Sequence, residues 1–220
     1  MHQFNIAVYR QGEMYKVAIN KEQVNAMPVV SFDGQIVVID TLSKVNAAVR
    51  TLRKYSLVGF DTETRPSFRR GVLHKMALIQ ISTTDICFLF RINKIGLPSK
   101  LLEYIEDASC HKVGLSLHDD WNVLHRRYDA HPQGFIDIQS MVKQFNIADM
   151  GLQKIYAILF GKKISKSQQL TNWEADTLTE AQQRYAATDA WACIKIYEYL
   201  ASNSFNYELS PYKIEIDNEE

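Results

Sequence analysis

Short apolar runs alternate with longer amphipathic segments along most of this 220-residue chain. The runs predicted to be strands are QIVVID, LVGFDTE, KMALIQIST, DICFLF and HKVGLSL. Leu42, Val45, Val49 and Leu52 recur at helical spacing and predict a helix after the first run. Because only residues 83–85 separate KMALIQIST from DICFLF, we expect these two strands to be antiparallel. The alternation predicts an α/β fold with a mixed central sheet flanked by helices.

Three segments are distinguished along the chain. Residues 1–30 are predicted to form an N-terminal extension, in which FNIAVY and MYKVAI favour a short β-hairpin. Residues 31–203 are predicted to form the main domain, and residues 204–220 a C-terminal tail. Within the main domain, three segments are predicted to be predominantly helical: FIDIQSMVKQFN, GLQKIYAILFG and LTEAQQRYAATDAWACIKIYEYLAS.

The composition limits the classes of protein to be considered. Lys plus Arg and Asp plus Glu each number 25, so the formal net charge is zero, which argues against electrostatic attraction of nucleic acid to the molecule as a whole. A local basic groove beside an acidic site remains compatible with this balance. The three cysteines are isolated in sequence and predict neither a zinc site nor a disulfide framework. We therefore expect a cytoplasmic protein without a signal peptide or a membrane partner, since apolar runs stay well short of about 18 residues.

Two carboxylates follow the apolar run LVGF. Side chains alternate between the faces of a strand, so Asp61 and Glu63 are predicted to point in the same direction. A second acidic pair, Asp119 and Asp120, follows the strand-like HKVGLSL. Taken singly, each pair has an ordinary explanation: a solvated strand end for the first, and an N-cap of the next helix for the second.

A third acidic position lies in RYAATDA, where Tyr185 and Asp189 are four residues apart and share one face of a predicted helix. Carboxylates that converge from three such elements repel one another unless cations neutralise them. Oxygen ligands of this kind suit Mg²⁺ or Mn²⁺ rather than zinc. Paired divalent metals stabilise the attacking and leaving oxygens of a phosphodiester displacement, which makes a nuclease the leading hypothesis.

FDTET, VGLSLHDDWNVL and TNWEADTLTEAQQRYAATDAWACIKIY resemble the three motifs of the DEDD 3′→5′ exonuclease superfamily. The Tyr-x-x-x-Asp form of the third motif resembles the DEDDy branch, which includes ribonuclease D and the exonuclease domain of the Werner helicase. The Werner-type domain is the closer likeness. The resemblance runs from about residue 32 to residue 201 and implies a ribonuclease-H-like fold with a short N-terminal β extension.

Carried over by position, the resemblance implies that Asp61, Glu63, Asp120 and Asp189 bind two Mg²⁺ or Mn²⁺ ions. It implies that Tyr185 positions the attacking water, which completes the set of five predicted catalytic residues. Asp120 is preferred to Asp119 because the apolar residues at 123 and 124 stand three and four positions after it, as in the family. One departure is visible, since relatives often carry glycine at the position of the serine at 116.

Substrate contacts are predicted at four further residues. Arg69 and Arg70 lie in a basic segment after the first motif and are candidates for holding phosphates, with a solvated loop as the alternative. Trp121 and Asn122 follow the second motif's acid and are candidates for contacting the terminal nucleotide. The predicted partner is a nucleic acid with a free 3′ end.

The sequence thus predicts a metal-dependent 3′→5′ exonuclease that hydrolyses terminal phosphodiester bonds of DNA or RNA and releases nucleoside 5′-monophosphates. The alternative is a nucleic-acid-binding or scaffolding domain that kept the exonuclease fold without useful activity. A requirement for Mg²⁺ separates the two, because a binding module has no need of the ion.

Overall fold

The computed structural model describes residues 15–67, 74–125 and 128–215, except for the side chains at 119, 120, 122 and 123. Two 3₁₀ turns, Lys143–Phe145 and Tyr207–Leu209, accompany the regular elements. In chain order the strands and helices are β1 (Tyr15–Val17), α1 (Lys21–Asn25), β2 (Val29–Val30), β3 (Gln35–Ile39), α2 (Leu42–Leu52), β4 (Leu57–Thr64), β5 (Met76–Ser82), β6 (Ile86–Phe90), α3 (Ile92–Ile95), α4 (Ser99–Ile105), β7 (His111–Gly114), α5 (Leu117–His125), β8 (Phe135–Asp137), α6 (Ile138–Val142), α7 (Leu152–Phe160), β9 (Lys163–Ile164), α8 (Glu180–Ala201) and β10 (Lys213–Glu215).

The six strands of the main sheet are ordered β3-β6-β5-β4-β7-β8. Strand β5 runs antiparallel to both β4 and β6, whereas the β3–β6, β4–β7 and β7–β8 pairs are parallel. The predicted mixed sheet and the predicted antiparallel pair are therefore confirmed. The three-residue connection between β5 and β6 is too short for a crossover, which is the reason the pair could be predicted.

Apolar side chains cover both faces of this sheet. On one face Phe60, Ile79 and Phe88 form a core with residues of α2 and α4. On the other face Leu78 and Leu89 pack with small residues of α8. The predicted ribonuclease-H-like architecture, a mixed sheet flanked by helices, is confirmed.

The segment FIDIQSMVKQFN differs from the prediction. Phe135–Asp137 is strand β8, which pairs in parallel with β7, and the helix α6 begins only after Asp137. The helical prediction was wrong for these three residues because pairing with a distant strand overrides the local pattern in so short a segment. The correction matters for the site, since Asp137 lies where β8 ends.

The two ends of the described chain lie together. Strand β1 pairs antiparallel with β10, and Val17 forms a bridge with Ile147. Most of the predicted N-terminal hairpin falls on residues 1–14, which lie outside the described residues. Within the described ranges, none of the helices combines the length and apolar character that crossing a membrane requires.

Candidate active site

Strand β4 carries the first two acids. Asp61 and Glu63 are half-buried, lie on the same face of the strand and stand opposite Gln80 and Leu78 of β5. The parallel neighbour β7 ends at Gly114, where an added Cβ atom would lie 2.8 Å from the carbonyl oxygen of Phe60. The end of β7 therefore abuts β4 directly beside Asp61, and the chain turns from there into the second motif.

Helix α8 carries the third motif. It begins with a capping box in which the Thr179 side chain accepts from the Gln182 backbone N–H, while the Gln182 side chain accepts from the Thr179 backbone N–H. The helix then crosses β4 at Ala190, one residue beyond Asp189. Small residues on this face let the helix lie close to the sheet, so that Asp189 is only 7% exposed.

Asp61, Glu63 and Asp189 converge. A carboxylate oxygen from each lies within 4.8 Å of the other two. They line a cavity of about 290 Å³ that is also bordered by Tyr185, by the start of α7 and by Lys166. Three carboxylates at this separation form a site of concentrated negative charge that is open to a ligand.

The environment of Asp189 is unusual for a carboxyl group. Burial raises its pKa from 3.8 to about 7, against the opposing effects of a hydrogen bond from Tyr185 and of the Lys166 charge. Its Oδ1 atom is buried and has no hydrogen-bond partner among the described residues. An ionised carboxylate in this position calls for a further positive partner.

Tyr185 completes the group. Its hydroxyl hydrogen-bonds Asp189, and its pKa is raised by burial first and then by the charges of Asp189, Glu63 and Asp61. The phenol therefore keeps its proton at neutral pH and acts through hydrogen bonds rather than as a base. The ring packs on that of Trp173, with centroids 5.9 Å apart.

The donor set fits a hard divalent cation. All three converging groups offer carboxylate oxygens, and the buried Oδ1 of Asp189 lacks a partner among the described residues. Mg²⁺ and Mn²⁺ favour such ligands, whereas zinc favours histidine and cysteine. The acids at 61, 63 and 189 are thus the described residues that would hold an ion, and their role as its ligands stays a prediction.

The second motif lies on α5, which spans Leu117–His125 and includes Asp119 and Asp120. The side chains of both acids lie outside the described side chains, so the role of Asp120 stays a prediction. Just before the helix, Ser116 has a φ of 57°, in the left-handed region that favours glycine. This backbone conformation explains why a glycine suits that position.

Asp137 is a residue that the sequence reasoning missed. Its carboxylate accepts hydrogen bonds from the backbone N–H groups of Ser116 at 3.4 Å, Leu117 at 3.1 Å and Gln139 at 2.8 Å. One side chain thus fixes the start of α5 and of α6. The available signal was an aspartate directly before IQSMV, a typical N-cap position.

Of the four residues predicted to contact the substrate, the structure describes the side chain of Trp121 alone. Trp121 is half-buried, and its ring centroid lies 4.4 Å from that of Phe135 and 5.6 Å from that of Phe60, so it anchors α5 on the face of the sheet that carries Phe60. Arg69 and Arg70 lie outside the described residues, as does the side chain of Asn122. A nucleotide contact by any of the four stays a prediction.

Residues 36–203, which are most of the chain, match the family model that describes 3′–5′ exonucleases. This chain belongs to the 3′–5′ exonuclease family. This membership confirms the resemblance to the DEDD superfamily. The matched range includes the strand of Asp61, the helix of Asp120 and the helix of Asp189.

Three relatives illustrate the likeness of this exonuclease-family chain. A 3′–5′ exonuclease of Arabidopsis thaliana is 32% identical over 189 residues, which are 79% of this chain and 66% of the relative. The bifunctional 3′–5′ exonuclease/ATP-dependent helicase WRN of Mus musculus is 31% identical over 153 residues, or 66% of this chain and 11% of that protein. The structure of Escherichia coli RNase D, an exoribonuclease, superimposes with a TM-score of 0.69 at 26% identity, over 77% of this chain and 45% of that one.

The EXO domain of Nibbler from Aedes aegypti shares the fold, with a TM-score of 0.72 at 20% identity over 79% of this chain and 92% of that domain. The exonuclease-family chain thus spans only part of the length of the curated relatives it matches.

Proposed function

We propose that the protein is a metal-dependent 3′→5′ exonuclease that hydrolyses the terminal phosphodiester bond of DNA or RNA. The observation that carries the proposal is the convergence of Asp61, Glu63 and Asp189 within 4.8 Å in a cavity shared with Tyr185. Family membership supports the same reaction. The cytoplasm is the proposed location.

In the proposed site Asp61, Glu63, Asp189 and the predicted fourth ligand Asp120 would hold two Mg²⁺ or Mn²⁺ ions. Ions bound there would lower the pKa of a water nucleophile and offset the charge on the attacking and leaving oxygens. The water oxygen forms a bond to the phosphorus of the terminal linkage, and the bond from that phosphorus to the 3′ oxygen of the preceding nucleotide breaks. The water loses a proton, the leaving 3′ oxygen takes one up, and a nucleoside 5′-monophosphate is released.

The chain's own residues orient this reaction. The Tyr185 hydroxyl, which stays protonated, hydrogen-bonds the attacking water while it remains fixed by Asp189. Burial of Asp189 strengthens its interaction with positive charge, because electrostatic interactions gain weight away from water. Lys166 lines the same cavity and its charge lowers the pKa of Asp189, so it adds positive charge beside the acids, which favours an anionic substrate.

The test is a cleavage ladder on 5′-labelled DNA and RNA of the same base sequence, single-stranded and recessed duplex, with Mg²⁺, Mn²⁺ or EDTA. We expect metal-dependent shortening from the 3′ end of at least one substrate, and no cutting of a closed circle. Asp61→Asn and Asp189→Asn should abolish cleavage. Asp40→Asn, which alters a half-exposed acid paired with Lys44, is the matched control and should cleave normally.

Tyr185→Phe should slow cleavage about 10- to 100-fold, since positioning groups contribute on this order. Tyr156→Phe, which removes the hydroxyl of another largely buried tyrosine, is its control. Folded protein that binds nucleic acid without metal and cuts none of these substrates would replace the enzyme proposal with the binding module. Full cleavage by Asp61→Asn and Asp189→Asn would overturn the assignment of the site.

A further inference from the structure

The position of Tyr185 depends on a connection without regular structure. Residues 165–179 link β9 to α8, and Trp173 lies within them. The Trp173 side chain is fully buried, and its ring is tilted by 37° against that of Tyr185. Any movement of this part of the connection therefore moves the surface on which the Tyr185 ring rests.

The Arg91 side chain binds the backbone of this connection. It follows strand β6 directly, is only 1% exposed, and donates from its guanidinium to the backbone carbonyls of Ala175 and Asp176. The adjacent helix α3 adds two contacts, from Asn93 to the carbonyl of Glu174 at 3.4 Å and from Lys94 to the carboxylate of Asp176 at 2.8 Å. Arg91 and helix α3 thus bind three consecutive residues of the connection, 174–176.

The Arg91 contact is the buried one among these. Burial lowers the pKa of its guanidinium, the sign of an unfavourable environment for a cation, while the charge of Asp176 opposes that effect. The Arg91 guanidinium nevertheless donates hydrogen bonds to two backbone carbonyls, which would lose these donors if the residue were apolar. The guanidinium therefore determines where the backbone at 175–176 lies, two residues beyond Trp173.

We propose that Arg91 is a positioning residue for Tyr185. Its guanidinium fixes the backbone after Trp173, Trp173 supports the Tyr185 ring, and the Tyr185 hydroxyl is thereby held at Asp189. The inference rests on the proposed exonuclease function, in which Tyr185 orients the attacking water. Displacements of about 1 Å at such a group are sufficient to cost about 100-fold in rate.

Arg91→Met is the direct variant, and the chain offers a matched control. Lys112 is also a fully buried cation, and its ammonium donates to the backbone carbonyls of Asp107 and Gln133. Those residues precede β7 and β8, at the opposite end of the strands from Asp61. Lys112→Met therefore removes an equivalent interaction without a connection to Tyr185.

The decisive measurement is a double-mutant cycle with Tyr185→Phe, in which kcat and KM are measured below the lowest melting temperature of the set. We expect Arg91→Met to lower kcat about tenfold or more with little change in KM, and to have less than about a twofold effect in the Tyr185→Phe background. Lys112→Met should change kcat little in either background. Equal factors for Arg91→Met in both backgrounds would overturn the inference.

Trp173→Phe provides a second route if Arg91→Met does not fold. It removes part of the surface under Tyr185 without loss of a hydrogen bond, because the Trp173 Nε1 atom has no partner among the described residues. We expect Trp173→Phe to lower kcat in the wild-type background and to have little effect on kcat in the Tyr185→Phe background. An unchanged kcat for Trp173→Phe would overturn the inference. If the wild-type protein itself cuts no substrate, the exonuclease proposal fails first and takes this inference with it.

Discussion

A Cβ atom on Gly59 would lie 1.8 Å from the carbonyl oxygen of Ala190. Helix α8 thus crosses strand β4 in direct contact with its backbone, at a point where any side chain would force the two elements apart. Gly59 lies two residues before Asp61, and Ala190 directly follows Asp189. The contact therefore sets the distance between the acids of the first and third motifs.

Gly59→Ala should consequently weaken both the fold and the site. We expect a loss of about 2–3 kcal/mol in the free energy of unfolding, as for other overpacked cores, and cleavage reduced more than tenfold even where the variant is folded. Urea unfolding and the cleavage ladder measure the two effects. Gly151→Ala, where an added methyl group meets nothing within 4 Å, should unfold close to wild type. Normal cleavage by Gly59→Ala would show that the crossing does not set the site.

Asp189 should make stability depend on pH in the absence of metal. Its pKa is raised from 3.8 to about 7 in the folded protein, so the folded state binds the proton more tightly than the unfolded state. The stabilisation is complete below about pH 4 and is lost as the pH rises through 7. Relative to Asp189→Asn, the wild-type unfolding free energy in EDTA should therefore fall between pH 5 and pH 7.

Urea titrations at four pH values between 5 and 8 measure this difference. Asp40→Asn is the control. The hydrogen bond from Lys44 lowers the pKa of Asp40, so the contribution of Asp40 to the free energy of unfolding is lost only at more acidic pH, below the range of the titration. Added Mg²⁺ should stabilise the wild type more at pH 8 than at pH 6, since the ion binds the ionised carboxylate. A wild-type curve parallel to that of Asp189→Asn would contradict the predicted burial effect.

Ser116→Gly should stabilise the protein. The left-handed φ of 57° costs a serine about 1 kcal/mol or slightly more, and glycine adopts it without that penalty. After the greater flexibility of glycine in the unfolded chain is subtracted, a gain of about 0.5 kcal/mol remains. Ser43→Gly, the same substitution within helix α2, should instead destabilise by a similar amount. Chemical denaturation of both variants would show opposite signs if the backbone strain is as described.

Asp137→Ala should lower both stability and activity. Removal of the carboxylate leaves the N–H groups at the start of α5 and α6 without their side-chain acceptor, at a cost of about 1–2 kcal/mol. Because α5 carries the predicted ligand Asp120, we also expect weaker apparent Mg²⁺ affinity in the cleavage assay. Asn20→Ala removes the cap of α1 and is the control. It should lose stability without a change in the metal dependence; an identical Mg²⁺ titration curve for Asp137→Ala would contradict the link to α5.

Local spacing was sufficient to predict part of the site. The alternation of side chains along a strand placed Asp61 and Glu63 on one face, and the four-residue spacing placed Tyr185 and Asp189 on one side of α8. Both placements depend on neighbours within the same element, so the sequence alone carries them. The antiparallel β5–β6 pair was predictable for the same reason.

Strand β8 and the pairing of β1 with β10 could not be predicted in this way. Each strand contains three residues, too few for a period to be recognised, and each is stabilised by a partner elsewhere in the chain. Asp137 and Arg91 escaped notice for a related reason, because their hydrogen-bond partners lie 20 and 84 positions away.

The sequence by itself determined the chemical character of the site: carboxylates and a tyrosine, each on an element whose periodicity fixed its direction. Tertiary structure alone decided the distances between those elements, the 7% exposure of Asp189 and the pKa that follows from it. Burial and charge interaction depend on atoms that folding brings together from remote parts of the chain, here across the contact of Gly59 with Ala190. The reactivity of the same carboxylates is therefore a property of how β4 and α8 pack.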